Sequence, residues 1–151
     1  MIIKELKELL FSDLVRHYHY SGINDRAPNC LGIIKNSVNL RFMPVLLLRL
    51  AGAFHVLHIR AFARIISLIN FIIFGIEIGL LCQIEGGLYL PHTVGTVIGA
   101  AKIGTNVTIF QGVTLGSKEP DEGYHTDRRP SIGNNVTIGS GAKVLGGIHI
   151  G

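Results

Sequence analysis

A chain of 151 residues, 48% hydrophobic and only 16% charged, is too apolar for a disordered segment and large enough for one domain with a packed core. The net charge of +4 is unevenly placed: residues 1–75 hold nine Lys/Arg against four Asp/Glu, and residues 76–151 hold five against six. No basic run with interleaved aromatics accompanies that excess, which argues against a nucleic-acid partner. Cys30 and Cys82 lie too far apart for a C-x-x-C site or a disulfide framework, and no cluster of metal ligands stands out.

In chain order, Ile2–Arg16 places Ile3, Leu6, Leu9, Leu10, Leu14 and Val15 at helical spacing. Residues 20–44, with Pro28 and Pro44, read as a connection. Met43–Ser67 reads as one long helix, with Arg49, Arg60 and Arg64 on one face and Leu46, Leu50, Phe54, Leu57 and Ile65 on another. The window Ile65–Ile84 matches a membrane span in length, but Gly75, Gly79 and Glu77 interrupt it, so a helix lying in the membrane interface, or packed on a partner subunit, is the better expectation. The N-terminus carries early acids and no signal-peptide pattern, which points to the cytoplasm, with peripheral contact at the inner face of the membrane through these helices.

The chain changes character near Gly75: four of its 19 glycines precede residue 76. Beyond it, Ile78, Ile84 and Leu90 are six apart, as are Ile103, Ile109 and Leu115, and again Ile132, Ile138, Val144 and Ile150. Neither helix nor flat strand has period six; a solenoid of short strands does, with an aliphatic residue inward in each repeat and Gly or Asn at the corners. Asn106 and Asn134–Asn135 suit corners that require left-handed dihedrals. The segment Ser117–Pro130, SKEPDEGYHTDRRP, exceeds the repeat and should be extruded as a polar loop. The expected organisation is a helical region over 1–74 and a solenoid over 75–151 with its loop at 117–130.

The segments GLYLPHTVGTVIG, NVTIFQGVTLG and RRPSIGNNVTIGSGAKVLGGIHIG resemble the hexapeptide-repeat acyltransferases, and within them the serine acetyltransferase-like branch, which includes acetyltransferases of colanic acid and other surface polysaccharides. SDLVRHY and LLLRLA resemble that family's N-terminal helical region. The resemblance covers about residues 70–151 and implies an α+β fold: N-terminal helices followed by a left-handed parallel β-helix. It further implies that His92 removes the proton from an acceptor hydroxyl and that a carboxylate fifteen residues earlier, Glu77, orients it. Such a pair is chemically sound, because an imidazole activates a poor hydroxyl nucleophile and a carboxylate fixes its tautomer. Acetyl-CoA would lie along Gly116 and Gly139–Ser140–Gly141, in a cleft between neighbouring prisms of a homotrimer that also covers apolar helix surface from 43–74. Arg128, Arg129 and Lys143 would neutralise phosphates or an acidic sugar, and Arg129, His125 and Asp127 would meet the acceptor. No metal is called for.

Three departures mark this chain. Arg129 stands before Pro130 where serine-acetylating members carry a second histidine, and Pro91 stands before His92 where they carry an acid that holds the serine amine. Ile98–Ile103 is one residue short of the repeat. An ammonium desolvated without an anionic partner is costly, so these residues favour a sugar hydroxyl of a surface glycan as acceptor, with L-serine second and a non-catalytic trimeric scaffold as the reading of another class. The resemblance also implies further coils beyond Gly151.

Overall fold

The computed structural model describes residues 2–23 and 25–151. Four helices, α1 (Ile2–Tyr20), α2 (Cys30–Asn36), α3 (Met43–Val56) and α4 (Arg60–Phe74), precede ten short strands: β1 (Ile76–Ile78), β2 (Gln83–Ile84), β3 (Thr96–Ile98), β4 (Lys102–Ile103), β5 (Thr108–Ile109), β6 (Thr114–Gly116), β7 (Ser131–Ile132), β8 (Thr137–Ile138), β9 (Lys143–Leu145) and β10 (His149–Ile150). All pairings are parallel and fall into three sheets, ordered β1-β3-β6-β9, β2-β4-β7-β10 and β5-β8. A chain that visits three parallel sheets in rotation is a prism with faces A, B and C in that order, and it is the left-handed parallel β-helix of the expectation.

The period-six aliphatics are the prism's interior. Ile78, Ile98, Leu115 and Val144 stack in register on face A, and Ile84, Ile103, Ile132 and Ile150 on face B. Ile109 stands over Ile138 on face C. Six of these ten are buried and Ile78, Ile84, Val144 and Ile150 are half-buried against them, forming one core with Leu88, Leu90 and Val113. The corner between faces C and A is a column of glycines, Gly75, Gly95, Gly112 and Gly141, all with φ between 62° and 73°. Their amides bond from coil to coil, Gly95 to the Gly75 carbonyl, Gly112 to Val94 and Gly141 to Gln111. That left-handed conformation is nearly free for glycine alone. Asn106 and Asn135 take the same conformation elsewhere, at φ 57° and 58°, and their side chains hydrogen-bond each other; Asn134 does not.

The helical half departs from expectation in four respects. The first helix runs on to Tyr20, because Leu10, Asp13, Leu14, His17 and Tyr18 continue one buried stripe. The connection contains α2, capped by the Asn29 side chain accepting from the Gly32 amide. The long helix is two: His58, at φ 61°, breaks it in a Schellman turn, with Ile59 N–H donating to Phe54 and His58 N–H to His55. Arg49 therefore shares no face with Arg60 and Arg64. It is buried against Asp13 (Nε–Oδ2 2.8 Å) and donates to the carbonyls of Ile84 and Glu85, while Asp13 Oδ1 accepts from the Gly87 and Leu88 amides. This pair clamps both helices to the first coil, and burial pushes the Asp13 carboxyl up against the pull of Arg49. Finally, the apolar window 65–84 is split: α4 ends at Gly75, and Glu77 lies on a strand. Among the described residues no helix is long and apolar enough to cross a membrane.

Candidate active site

The coil from Ile76 to its register partner Thr96 takes twenty residues, whereas the next, from Val97 to Thr114, takes seventeen. Two of the three surplus residues sit at the glycine corner, and the third reflects the short Ile98–Ile103 repeat of the second coil. Between Leu90 and Gly95 the chain inserts Pro91–Val94, where the following coil has only Phe110 and Gln111 between Ile109 and Gly112. His92 rides on this bulge and is exposed. Thr93 anchors the bulge by donating to the Phe74 carbonyl at 2.7 Å. Gly139, Ser140 and Gly141 occupy the same corner two coils on, all exposed; at about 4.8 Å per coil they lie roughly 10 Å along the edge.

Face A carries the rest. Glu77, Val97, Thr114 and Lys143 form one outward ladder, and Gly116 pairs with Leu145 beside it. A cleft of ≈ 520 Å³ runs along this face, floored by Glu77, Val97, Thr114 and Gly116 and walled by Ser117–Asp121 and Tyr124 of the loop. Glu77 is exposed; among the described residues, neither it nor His92 takes part in a side-chain hydrogen bond or ion pair. The fifteen-residue spacing falls short of the twenty-residue coil, so Glu77 is level with Val97 and His92 stands back on the corner. Lys143 Nζ donates to the Gly112 carbonyl (2.7 Å) and Thr114 Oγ1 (2.9 Å), at the junction of corner and face.

Gly116 and Gly139 have an informative environment. A Cβ built on either meets no atom within 4 Å, and neither has positive φ. Packing within the chain does not demand glycine there, and both leave open backbone against which a thin ligand fits. Gly141 is equally open, but its φ of 73° accounts for it.

The loop residues are committed elsewhere. Arg129 is buried: its guanidinium donates to the Gly99 carbonyl (3.0 Å) and to the Asp121 carbonyl and carboxylate, and stacks on the Tyr124 ring at 3.8 Å. Held by these partners, it lines the cleft but is not the free acceptor-binding group expected of it. Tyr124 donates to the Ala100 carbonyl. The shortened Ile98–Ile103 repeat is thus completed from outside, with loop side chains satisfying Gly99 and Ala100. A Cβ on Gly79 would lie 2.9 Å from the Tyr124 ring, and one on Gly99 would lie 2.9 Å from Arg129, so both glycines make room for the loop. His125 is exposed and bonds Asp121 at 2.6 Å; Asp127 is exposed in the turn Thr126–Arg128, with Arg128 beside it. His125 holds the Asp121 carboxyl below its ordinary value. Behind the loop, burial pushes the Cys82 thiol up to about 11 and raises the Tyr124 hydroxyl further. Among the described residues no three His, Cys, Asp or Glu side chains converge as metal ligands.

No family model matches the chain. A serine acetyltransferase of Helicobacter pylori is 44% identical over 104 residues, which are 68% of this chain and 59% of that protein. A serine acetyltransferase of Neisseria gonorrhoeae, solved in complex with serine, superposes with TM-score 0.76 and 26% identity over 98% of this chain and 58% of that one. Serine acetyltransferase 1 of Entamoeba histolytica, solved with L-cysteine, gives 0.74 and 31% over 98% and 56%. The chain belongs to the hexapeptide-repeat acyltransferases, in their serine acetyltransferase-like branch. It spans less than two thirds of the length of the curated relatives it matches. Within this family fold, the residue reading missed the Asp13–Arg49 clamp and Asp121 as the hub of the loop. The motifs SDLVRHY and LLLRLA contain the clamp, but only the fold joins them.

Proposed function

We propose that the chain transfers an acetyl group from acetyl-CoA to a hydroxyl, and that the hydroxyl is that of L-serine. The open backbone at Gly116 and Gly139, on the corner and face that also carry His92 and Glu77, is the observation that carries the acetyl-CoA part. Two glycines needed for neither dihedral nor packing suit a pantetheine arm lying against main-chain amides. The match to serine acetyltransferases supports serine and reverses the order that Pro91 and Arg129 suggested, in which a surface glycan came first.

In this reading His92 takes the proton from the acceptor hydroxyl as its oxygen attacks the thioester carbonyl. The C–S bond breaks, and the imidazolium returns the proton to the departing thiolate. Glu77 retains the role of orienting carboxylate, reached from its place on the cleft floor. Lys143, at the junction of corner and face, would supply the positive charge for a phosphate of the coenzyme. One observation keeps a glycan acceptor as a second reading: Pro91 leaves the position before His92 without an anion for the serine ammonium. CoA release measured with L-serine and with a panel of nucleotide sugars and surface glycans separates them. Serine is expected to support turnover at sub-millimolar concentration; turnover with glycans alone would reverse the order, and no CoA release with any acceptor would favour a scaffold.

A further inference from the structure

The outer face of α4 has no work in the site just described. The helix turns Ala63, Asn70 and Phe74 inward, and of its polar residues beyond the first two turns Asn70 is buried and Ser67 half-buried. Outward it presents an unbroken ridge: Phe62 is 58% exposed, Ile65 53%, Leu68 55%, Phe71 52% and Ile72 69%. A water-facing helix ordinarily reverses this pattern, and apolar patches of this extent mark a docking surface.

The charge around the ridge identifies the occupant. Residues 26–74 contain six Lys/Arg and no Asp or Glu; Arg49 is buried against Asp13, which leaves five on the surface. Arg60 and Arg64, both exposed and on the first turns of α4, make no ion pair among the described residues. A second copy of this chain, the occupant expected above for the apolar surface of 43–74, would bring the same unpaired arginines against each other, whereas an anionic bilayer offers negative charge and hydrocarbon side by side. At fifteen residues α4 is about 22 Å long, too short to span a bilayer, so it would lie in the plane of the surface with ridge down and arginines among headgroups. We propose that α4 is an in-plane membrane anchor that holds this protein on anionic lipid surfaces.

The test is co-sedimentation of the full chain with vesicles of phosphatidylcholine alone and of phosphatidylcholine with 30% phosphatidylglycerol, at low and high salt. Binding to the anionic vesicles is expected, weakening with salt. Arg60→Ser with Arg64→Ser should reduce it roughly 25-fold, at about fivefold per cation. Ile65→Glu with Ile72→Glu should reduce it at least tenfold while the circular dichroism and oligomeric state stay as in the parent. Absence of binding to anionic vesicles would overturn the proposal. So would an I65E/I72E protein whose assembly dissociates while its vesicle binding persists, which would make the ridge a contact between copies of this chain.

Discussion

His92 is made available by a bulge in the coil, and a group so exposed has little packing to lose. His92→Ala should therefore leave the melting temperature near the parent's while lowering turnover about a hundredfold or more, the usual worth of a general base. Glu77→Gln should lower turnover by less; parity with the parent would remove Glu77 from the reaction. The glycines allow a sharper experiment. A methyl on Gly116 meets nothing in the chain, so Gly116→Ala should be neutral or slightly favourable for stability. If the pantetheine arm passes there, the same methyl should raise KM for acetyl-CoA several-fold while kcat with saturating coenzyme moves little. Unchanged KM in Gly116→Ala would separate that glycine from the coenzyme. Asp13 and Arg49 give the opposite profile. Either one removed leaves a buried charge unpaired at a cost of about 3–5 kcal/mol, detectable in denaturant unfolding and distant from the chemistry.

At the scale of elements, the break between α3 and α4 depends on a residue poorly suited to it. His58 occupies the left-handed position of the Schellman turn, where a side chain costs about 1 kcal/mol relative to glycine. His58→Gly should raise the melting temperature by roughly 2–4 °C, provided the added unfolded-state entropy does not consume the gain; a lower melting temperature would contradict the strain. The loop should respond to acid. Because His125 holds Asp121 below its unfolded value, the loop's attachment is at full strength above about pH 4 and weakens as pH falls through the folded value. Protection of loop amides from hydrogen exchange should fall over that range, and Asp121→Asn should remove the dependence. These elements also mark where sequence reasoning stops. The prism was legible because each inward position repeats an aliphatic at period six; the register Ile84–Ile103–Ile132–Ile150 was not, since the corner bulge, the short repeat and the loop put nineteen and then twenty-nine residues between its first three members. The helix break was not, since helical periodicity passes unaltered through a histidine at a glycine position. The candidate site residues were named from the family resemblance, and the structure puts His92 and Gly139–Gly141 on one corner and Glu77 and Gly116 on the adjoining face. The two-residue excess at the Pro91–His92 corner escaped the fifteen-residue count, and Arg129 was assigned to the acceptor because nothing in its neighbours announces the carbonyls it serves.

For the whole molecule, the decisive feature is that the proposed site lies on a convex edge. His92 and Ser140 are exposed on the corner, and the cleft on face A opens beside them without enclosing them. Acetyl transfer to a hydroxyl competes with hydrolysis, and excluding water requires a second surface over the edge. Apolar residues near that edge are available for such a contact: Val94 is 74% exposed beside His92, and Leu145 is 37% exposed on face A. Prisms meeting edge to face under closed threefold symmetry give each edge one neighbour, as the family resemblance implies. Light scattering should therefore report three times the 16.4 kDa chain mass, independently of vesicle binding through α4. If His92 of one copy works with the glycine surface of the next, two inactive proteins can complement each other. His92→Ala and a blocking Gly139→Trp, mixed during refolding, should regain turnover that neither has alone, because mixed trimers contain sites with one intact edge and one intact neighbour. A fully active monomer at working concentration, or failure of the mixture to recover any turnover while both parents assemble, would confine the site to a single prism.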